Sequence, residues 1–163
     1  YVASCEPAAL AAAERLGGRT LPEDEQSSES ASVDAASRVC ASDGVTALLR
    51  LPIDIPLAEP EDVQGVLDTE LPALGVALVP SHDGTGTNAL LRSPPTLFPS
   101  QFGANSFAKH FAQAQAHGAG VEIVHNERIA RDVDDGADLA AVAPRLRRDS
   151  ATGTWCAARG LLP

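Results

Sequence analysis

Apolar and polar positions change period along this chain, and each change marks an element. Residues 8–16 set Ala and Leu around Glu14-Arg15, a strong helix composition, with Glu6-Pro7 as its start and Gly17-Gly18 as its C-cap. Residues 1–4 then read as the tail of a strand feeding that helix, and 19–21 as a short strand. The acidic, Ser-rich stretch 22–32 is expected to be a loop, followed by a second helix over 33–42 and a turn at Asp43-Gly44.

Residues 45–53 (VTALLRLPI) form a near-continuous apolar run, the pattern of a strand buried on both faces. PEDVQGVL at 60–67 opens with Pro and two acids, a helical first turn. Strands are expected at 75–80 (GVALVP) and, after a Gly/Thr-rich loop, at 88–92. Apolar spacing predicts a helix over 106–117 capped by Gly118, then strands at 121–124 and 128–134. Asp135 and Asp138 are spaced as N-cap and N3 of a helix over 135–142. No element is expected in the Arg-rich tail. Strands alternating with helices indicate an α/β sandwich. The expected organisation is one domain over 1–143 and the tail over 144–163.

The 163 residues, 44% hydrophobic, can bury a real core, and no apolar run is long enough to span a bilayer. A net charge of −10 leaves no basic stripe for nucleic acid, although it allows a single nucleotide whose charge is met by metal ions. Cys5, Cys40 and Cys156 match no zinc spacing and suit a reducing, cytoplasmic setting.

Four segments carry candidate chemistry. In Pro52-Ile53-Asp54-Ile55-Pro56 an Asp follows a buried strand, where open α/β sheets place ligands, and the flanking prolines end the ladder; an ordinary turn would look the same. Arg131-Asp132-Val133-Asp134, on a strand, would turn both carboxylates to one face, roughly 6.5–7 Å apart, with Val133 facing the core. Such a pair repels itself and suits a divalent cation, while a solvated acidic turn is the plainer reading. His82 through Leu90 (HDGTGTNAL) offers backbone N–H groups and hydroxyls to an anion, or simply makes a β-turn. Residues 101–110 (QFGANSFAKH) place Ser106 as a helix N-cap and Gly103 where a ligand can come close. His110 could face either way.

The order P-x-D-x-P, D-G-T-G-T-N-A-L, F-G-x-x-S-F-x-x-H, D-V-D-x-x-x-D-L is more specific than any one motif. Over residues 1–142 it resembles the 2-phospho-L-lactate guanylyltransferase family, the phospho-acid guanylyltransferases of coenzyme F(420) biosynthesis. The resemblance implies a three-layer, Rossmann-like (GT-A-like) nucleotidyltransferase fold with a mostly parallel mixed sheet. It implies that GTP is joined to 2-phospho-L-lactate, phosphoenolpyruvate or 3-phosphoglycerate with release of pyrophosphate. Asp54, Asp132 and Asp134 would hold Mg²⁺. Thr87, Gly103 and Ser106 would contact the acid, with Asn88 shaping that loop. Ser32 and Asp34 would lie on the nucleotide side, where the family often has Leu-Asn in place of Val33-Asp34.

The family begins with a strand and a Lys/Arg-containing phosphate loop that have no counterpart before Tyr1, so the N-terminal part of the domain is expected to be missing. Lys109 is the only lysine, and the arginines are expected to be scattered rather than gathered near the Asp54 or Asp132 motifs. Expected partners are GTP and the phospho-acid, with a homodimer as one arrangement, and neither nucleic acid nor membrane. The alternatives are a molybdopterin-type nucleotidyltransferase of the same fold, or a non-catalytic remnant that keeps acid and metal sites.

Overall fold

Two sheets and six α-helices make up the computed structural model, which describes residues 1–25 and 27–162. Strand β1 (Val2–Ser4) leads into α1 (Pro7–Arg15) and pairs in parallel with β2 (Thr20–Pro22) as a small separate sheet. Helix α2 (Glu29–Ser42) follows; its N-cap is Ser28, whose hydroxyl accepts from the Ala31 N–H. The helix therefore starts four residues before the expected 33, because a serine cap and an acidic first turn resemble a loop in composition. Gln26, within the expected loop, lies outside the described residues.

The main sheet has the order β3-β5-β4-β6, with β3 at Leu48–Arg50, β4 at Gly75–Pro80, β5 at Thr87–Ser93 and β6 at Gly120–Ile123. β4 pairs in parallel with β6 and antiparallel with β5, which also runs against β3. Three of the four strands thus point one way and β5 alone is reversed, a mostly parallel mixed sheet. β4 and β5 are buried almost throughout because helices cover both faces.

One face packs Ala77, Val79, Ala89 and Leu91 against Val66 of α3 (Pro60–Leu67) and Ile129. The other packs Val76, Leu78 and Leu90 against Ala114, Phe107 and Phe111 of α4 (Ser106–Ala116), making three layers. The strand expected over 45–53 is shorter and less buried than its composition suggests: only three residues pair, at the sheet edge, and Ile53 is 97% exposed.

Residues 128–134 form no strand. They run as a loop into α5 (Gly136–Val142), whose capping box joins Asp135 and Asp138 as the spacing predicted. The tail is also structured. A 3-10 turn at Ala143–Arg145 and α6 (Ala151–Ala157) bring Leu146 and Cys156 against Leu57 and Val142. No helix is long and apolar enough to cross a membrane among the described residues.

Candidate active site

A cleft of about 860 Å³ opens along the edges of β1 and β3 and reaches the loops after β3 and before β5. Asp54, Asp132, Asp134, Thr87, Asn88, Gly103, Ser106 and Ser32 all line it, so eight of the nine site residues singled out in the sequence share one cavity.

Loops rather than a strand bring the three carboxylates to this cleft. The Val133 N–H donates to the Asp54 carbonyl at 2.9 Å, stitching the two loops together. The Asn88 amide donates to the Ile129 carbonyl at 3.0 Å and to an Asp132 oxygen at 3.2 Å, holding that loop against β5. Asp134 has its carboxyl pushed above the usual range, first by the charge of Asp132, then by burial and by Asp54. Like charges crowded this way suit a cation with hard oxygen ligands. Among the described residues, no three His, Cys, Asp or Glu side chains form a ready-made metal cluster.

Asn88 is also the pivot of β5. Val79 pairs with Ala89 and Pro80 with Thr87, so Asn88 is an extra residue, a β-bulge. The bulge breaks the alternation of faces: Asn88 turns toward Ile129 while Thr87 turns to the α4 face. There Thr87 meets His110, which is fully buried beside Phe98 and Phe102. The Gln101 N–H donates to His110 Nε2 at 2.9 Å, so the proton of the neutral ring sits on Nδ1 and is donated to Thr87 Oγ1 at 3.0 Å. Burial, then the charges of Arg92 and Arg50, lower the His110 pKa to about 4, which keeps the ring neutral at pH 7.

Residues 84–86 of the Gly/Thr segment spend their donors inside the loop. Asp83 accepts from the Thr85 N–H at 2.9 Å and from the Thr85 hydroxyl at 2.9 Å, Ser81 Oγ accepts from the Gly86 N–H at 2.7 Å, and the Ser81 carbonyl accepts from the Gly84 N–H at 2.9 Å. These donors serve the loop's own rigidity. Gly86 has to be glycine here, because a Cβ would stand 2.9 Å from Ser81 Oγ.

In the other wall, Gly103 adopts φ +96°, a conformation that disfavours any side chain, and Asn105 rather than Ser106 is the N-cap of α4, at φ 56°. Ser106 is the first helical residue. Its buried hydroxyl borders the cleft and has no protein partner among the described residues. Helix α2 holds this wall from below: Ser30 Oγ accepts from the Phe102 N–H at 2.8 Å, and Asp34 accepts from the Ser100 N–H at 2.9 Å. Ser32 faces the cleft, whereas Asp34 is turned away from it toward Ser100 and the buried Arg92, 3.8 Å away.

Sequence reasoning missed Arg50. It lies in the cleft beside the acidic group, against the expectation that no arginine gathers there. Its guanidinium packs 4.2 Å above the Phe102 ring and pairs with Glu29. Burial lowers its pKa to about 10 while Asp54 and Asp132 act to raise it, so it is cationic at neutral pH. Arg50 sits within an apolar run, and only its strand register places it in the cavity.

Residues 5–144 match the family model described as "Guanylyl transferase CofC like". The chain belongs to this family. Among curated relatives, the phosphoenolpyruvate guanylyltransferase of Rubrobacter xylanophilus is 36% identical over 85% of this chain and 67% of its own length. The enzyme of the same name from Sphaerobacter thermophilus is 35% identical over 61% of this chain and 48% of its own length. That from Conexibacter woesei is 32% identical over 99% of this chain and 72% of its own length. The chain therefore spans between about half and three quarters of the relatives it matches.

Proposed function

We propose that this chain joins the guanylyl group of GTP to the phosphate of a small phospho-acid, as a nucleotidyltransferase of coenzyme F(420) biosynthesis in the cytoplasm. The observation that carries this reading is that the acidic group and the hydroxyl-bearing wall open to one cleft, in a chain whose family is one of guanylyl transferases. The names of the relatives favour phosphoenolpyruvate as the acid; 2-phospho-L-lactate and 3-phosphoglycerate differ from it by few atoms.

In this reading a phosphate oxygen of the acid attacks the α-phosphorus of GTP. A P–O bond forms, the bond to the β-phosphate bridge breaks, and pyrophosphate leaves. The attacking phosphate is already ionised at neutral pH, so no general base is required, and positioning with charge neutralisation supplies most of the catalysis. Asp54, Asp132 and Asp134 would hold Mg²⁺, which when bound neutralises the two polyanions. Asn88 keeps Asp132 in place. Thr87 receives the His110 proton bond on its oxygen and is left with its own hydroxyl proton to donate, and Ser106 has a free hydroxyl. Both would hold the acid, with Gly103 allowing it close. Ser32 would face the nucleotide.

Pyrophosphate release from GTP in the presence of Mg²⁺, measured with each of the three acids, tests the reaction. Mass spectrometry should find the guanosine diphospho-acid. Release that does not depend on any of the acids would overturn the reading.

A further inference from the structure

We propose that Arg50 is the counter-ion of the phospho-acid's carboxylate, and that Glu29 occupies its guanidinium until the acid displaces it. This rests on the proposed function and adds to it the residue that recognises the acid group.

Arg50 is anchored and yet incompletely used. Its side chain is 15% exposed, with Phe102 against one face and the Thr87 carbonyl 3.5 Å from Nη1. Those two residues belong to the segments assigned to the acid. The remaining strong partner is the Glu29 carboxylate, in the first turn of α2 and 43% exposed on its side chain. A guanidinium carries five N–H donors in a planar fork that fits a carboxylate bidentately. Here two of its nitrogens have partners among the described residues, and Nε has none. Only the glutamate end of the pair is half-exposed, so its carboxylate can return to water when an incoming carboxylate replaces it and the guanidinium is not left unpaired.

The cleft gives the two ends of a phospho-acid different surroundings. Its phosphate has to reach the guanylyl group at the Asp54, Asp132 and Asp134 end, where a cation would sit. Its carboxylate then falls toward Thr87, Phe102 and Gly103, where Arg50 is the cationic side chain bordering the cleft among the described residues. Glu29 presents the same chemical group as the acid, so in the free protein it stands in for the ligand's carboxylate.

The test is titration calorimetry of phosphoenolpyruvate into the wild-type chain and into R50Q, R50K and E29Q, with glycerol 2-phosphate as a phosphomonoester lacking a carboxylate. R50Q should weaken phosphoenolpyruvate at least tenfold, R50K should recover part of that loss, and E29Q should tighten binding several-fold. Glycerol 2-phosphate should bind wild type and R50Q alike. A guanidinium that only staples β3 to α2 predicts that R50Q and E29Q shift affinity in the same direction, and that result would overturn the proposal. An equal loss of both ligands in R50Q would assign Arg50 to the phosphate and overturn the carboxylate assignment, as would absence of acid binding to the wild type. Binding that depends on Arg50 without GTP turnover would instead refute the transfer reaction and leave this inference standing. Turnover in which the KM for the acid ignores R50Q would do the reverse.

Discussion

The hydroxyl of Thr87 and Nδ1 of His110 lie 3.0 Å apart inside the protein, and the Gln101 N–H on the far nitrogen decides which of them donates. With His110 as the donor, Thr87 keeps its proton for the cleft. Thr87→Val should therefore weaken the acid roughly tenfold or more, since a hydrogen bond to a charged group contributes about 1.5–3 kcal/mol. Ser106→Ala should act in the same direction, and GTP affinity should change little in both. Calorimetry with each substrate checks this; a loss confined to GTP would mean that the two subsites are reversed.

The same histidine makes stability depend on pH. Its pKa falls from 6.5 to about 4 on folding, so below pH 6.5 the unfolded chain binds the proton that the folded chain refuses. Stability should be full above pH 6.5 and fall as pH drops toward 4, by about 3 kcal/mol at 1.36 kcal/mol per pKa unit. Urea unfolding at pH 7.5 and pH 4.5 should show the loss in wild type and a flatter profile in His110→Gln, which keeps polar contacts but does not titrate.

Asp62 ties the loop that leads to Asp132 and Asp134 to α3. It accepts from Arg128 Nε at 2.6 Å, from Arg128 Nη2 at 2.7 Å and from the Asn126 amide at 2.8 Å, and it completes the α3 capping box through the Glu59 N–H at 2.8 Å. Asp62→Ala should cost about 2 kcal/mol, because the Asn126 amide and the Glu59 N–H lose their acceptor and the half-exposed Arg128 loses its ion pair. The hydrogen bonds from Arg128 are the main reason that its pKa is lowered from 3.8 to about 2. That stabilisation is present above pH 3.8 and lost as pH falls toward 2. Denaturant melts across pH, wild type against Asp62→Asn, measure it.

Asp54→Asn, Asp132→Asn and Asp134→Asn should each abolish Mg²⁺-dependent turnover. In the metal-free protein Asp134→Asn should raise the melting temperature slightly, because the raised pKa means that the ionised carboxylate is repelled by Asp132 and Asp54. Activity within a few-fold of wild type in any two of these variants would remove the metal assignment.

Sequence alone located most elements because their boundaries are chemical. Pro60 and the acids after it start α3 where expected, and Asp135 with Asp138 caps α5. It failed where tertiary contacts decide. Residues 128–134 read as a strand from their composition, but the Val133 N–H bonds to the Asp54 carbonyl instead of to a ladder. Periodicity could not place His110, since its role comes from Gln101 and Thr87 approaching from other segments. The donors of the Gly/Thr loop looked free because the sequence does not show Asp83 folding back onto Thr85. Arg50 was overlooked for the opposite reason: an arginine inside an apolar run carries no motif, and only the cavity around it reveals what it faces.

The extra residue in β5 makes the length of this segment as important as its composition. Loops usually absorb insertions and deletions without harm, yet shortening the loop over 81–86 by one residue would draw the extra residue out of β5, set Asn88 opposite Pro80 and swing Thr87 to the side of Ala89, Leu91 and Ile129. His110 would lose its partner, and a hydroxyl would be driven among aliphatic side chains. A deletion that leaves every other residue untouched would thus deliver the loop's chemistry to the wrong side of the sheet, and a compensating insertion nearby would be needed to return it.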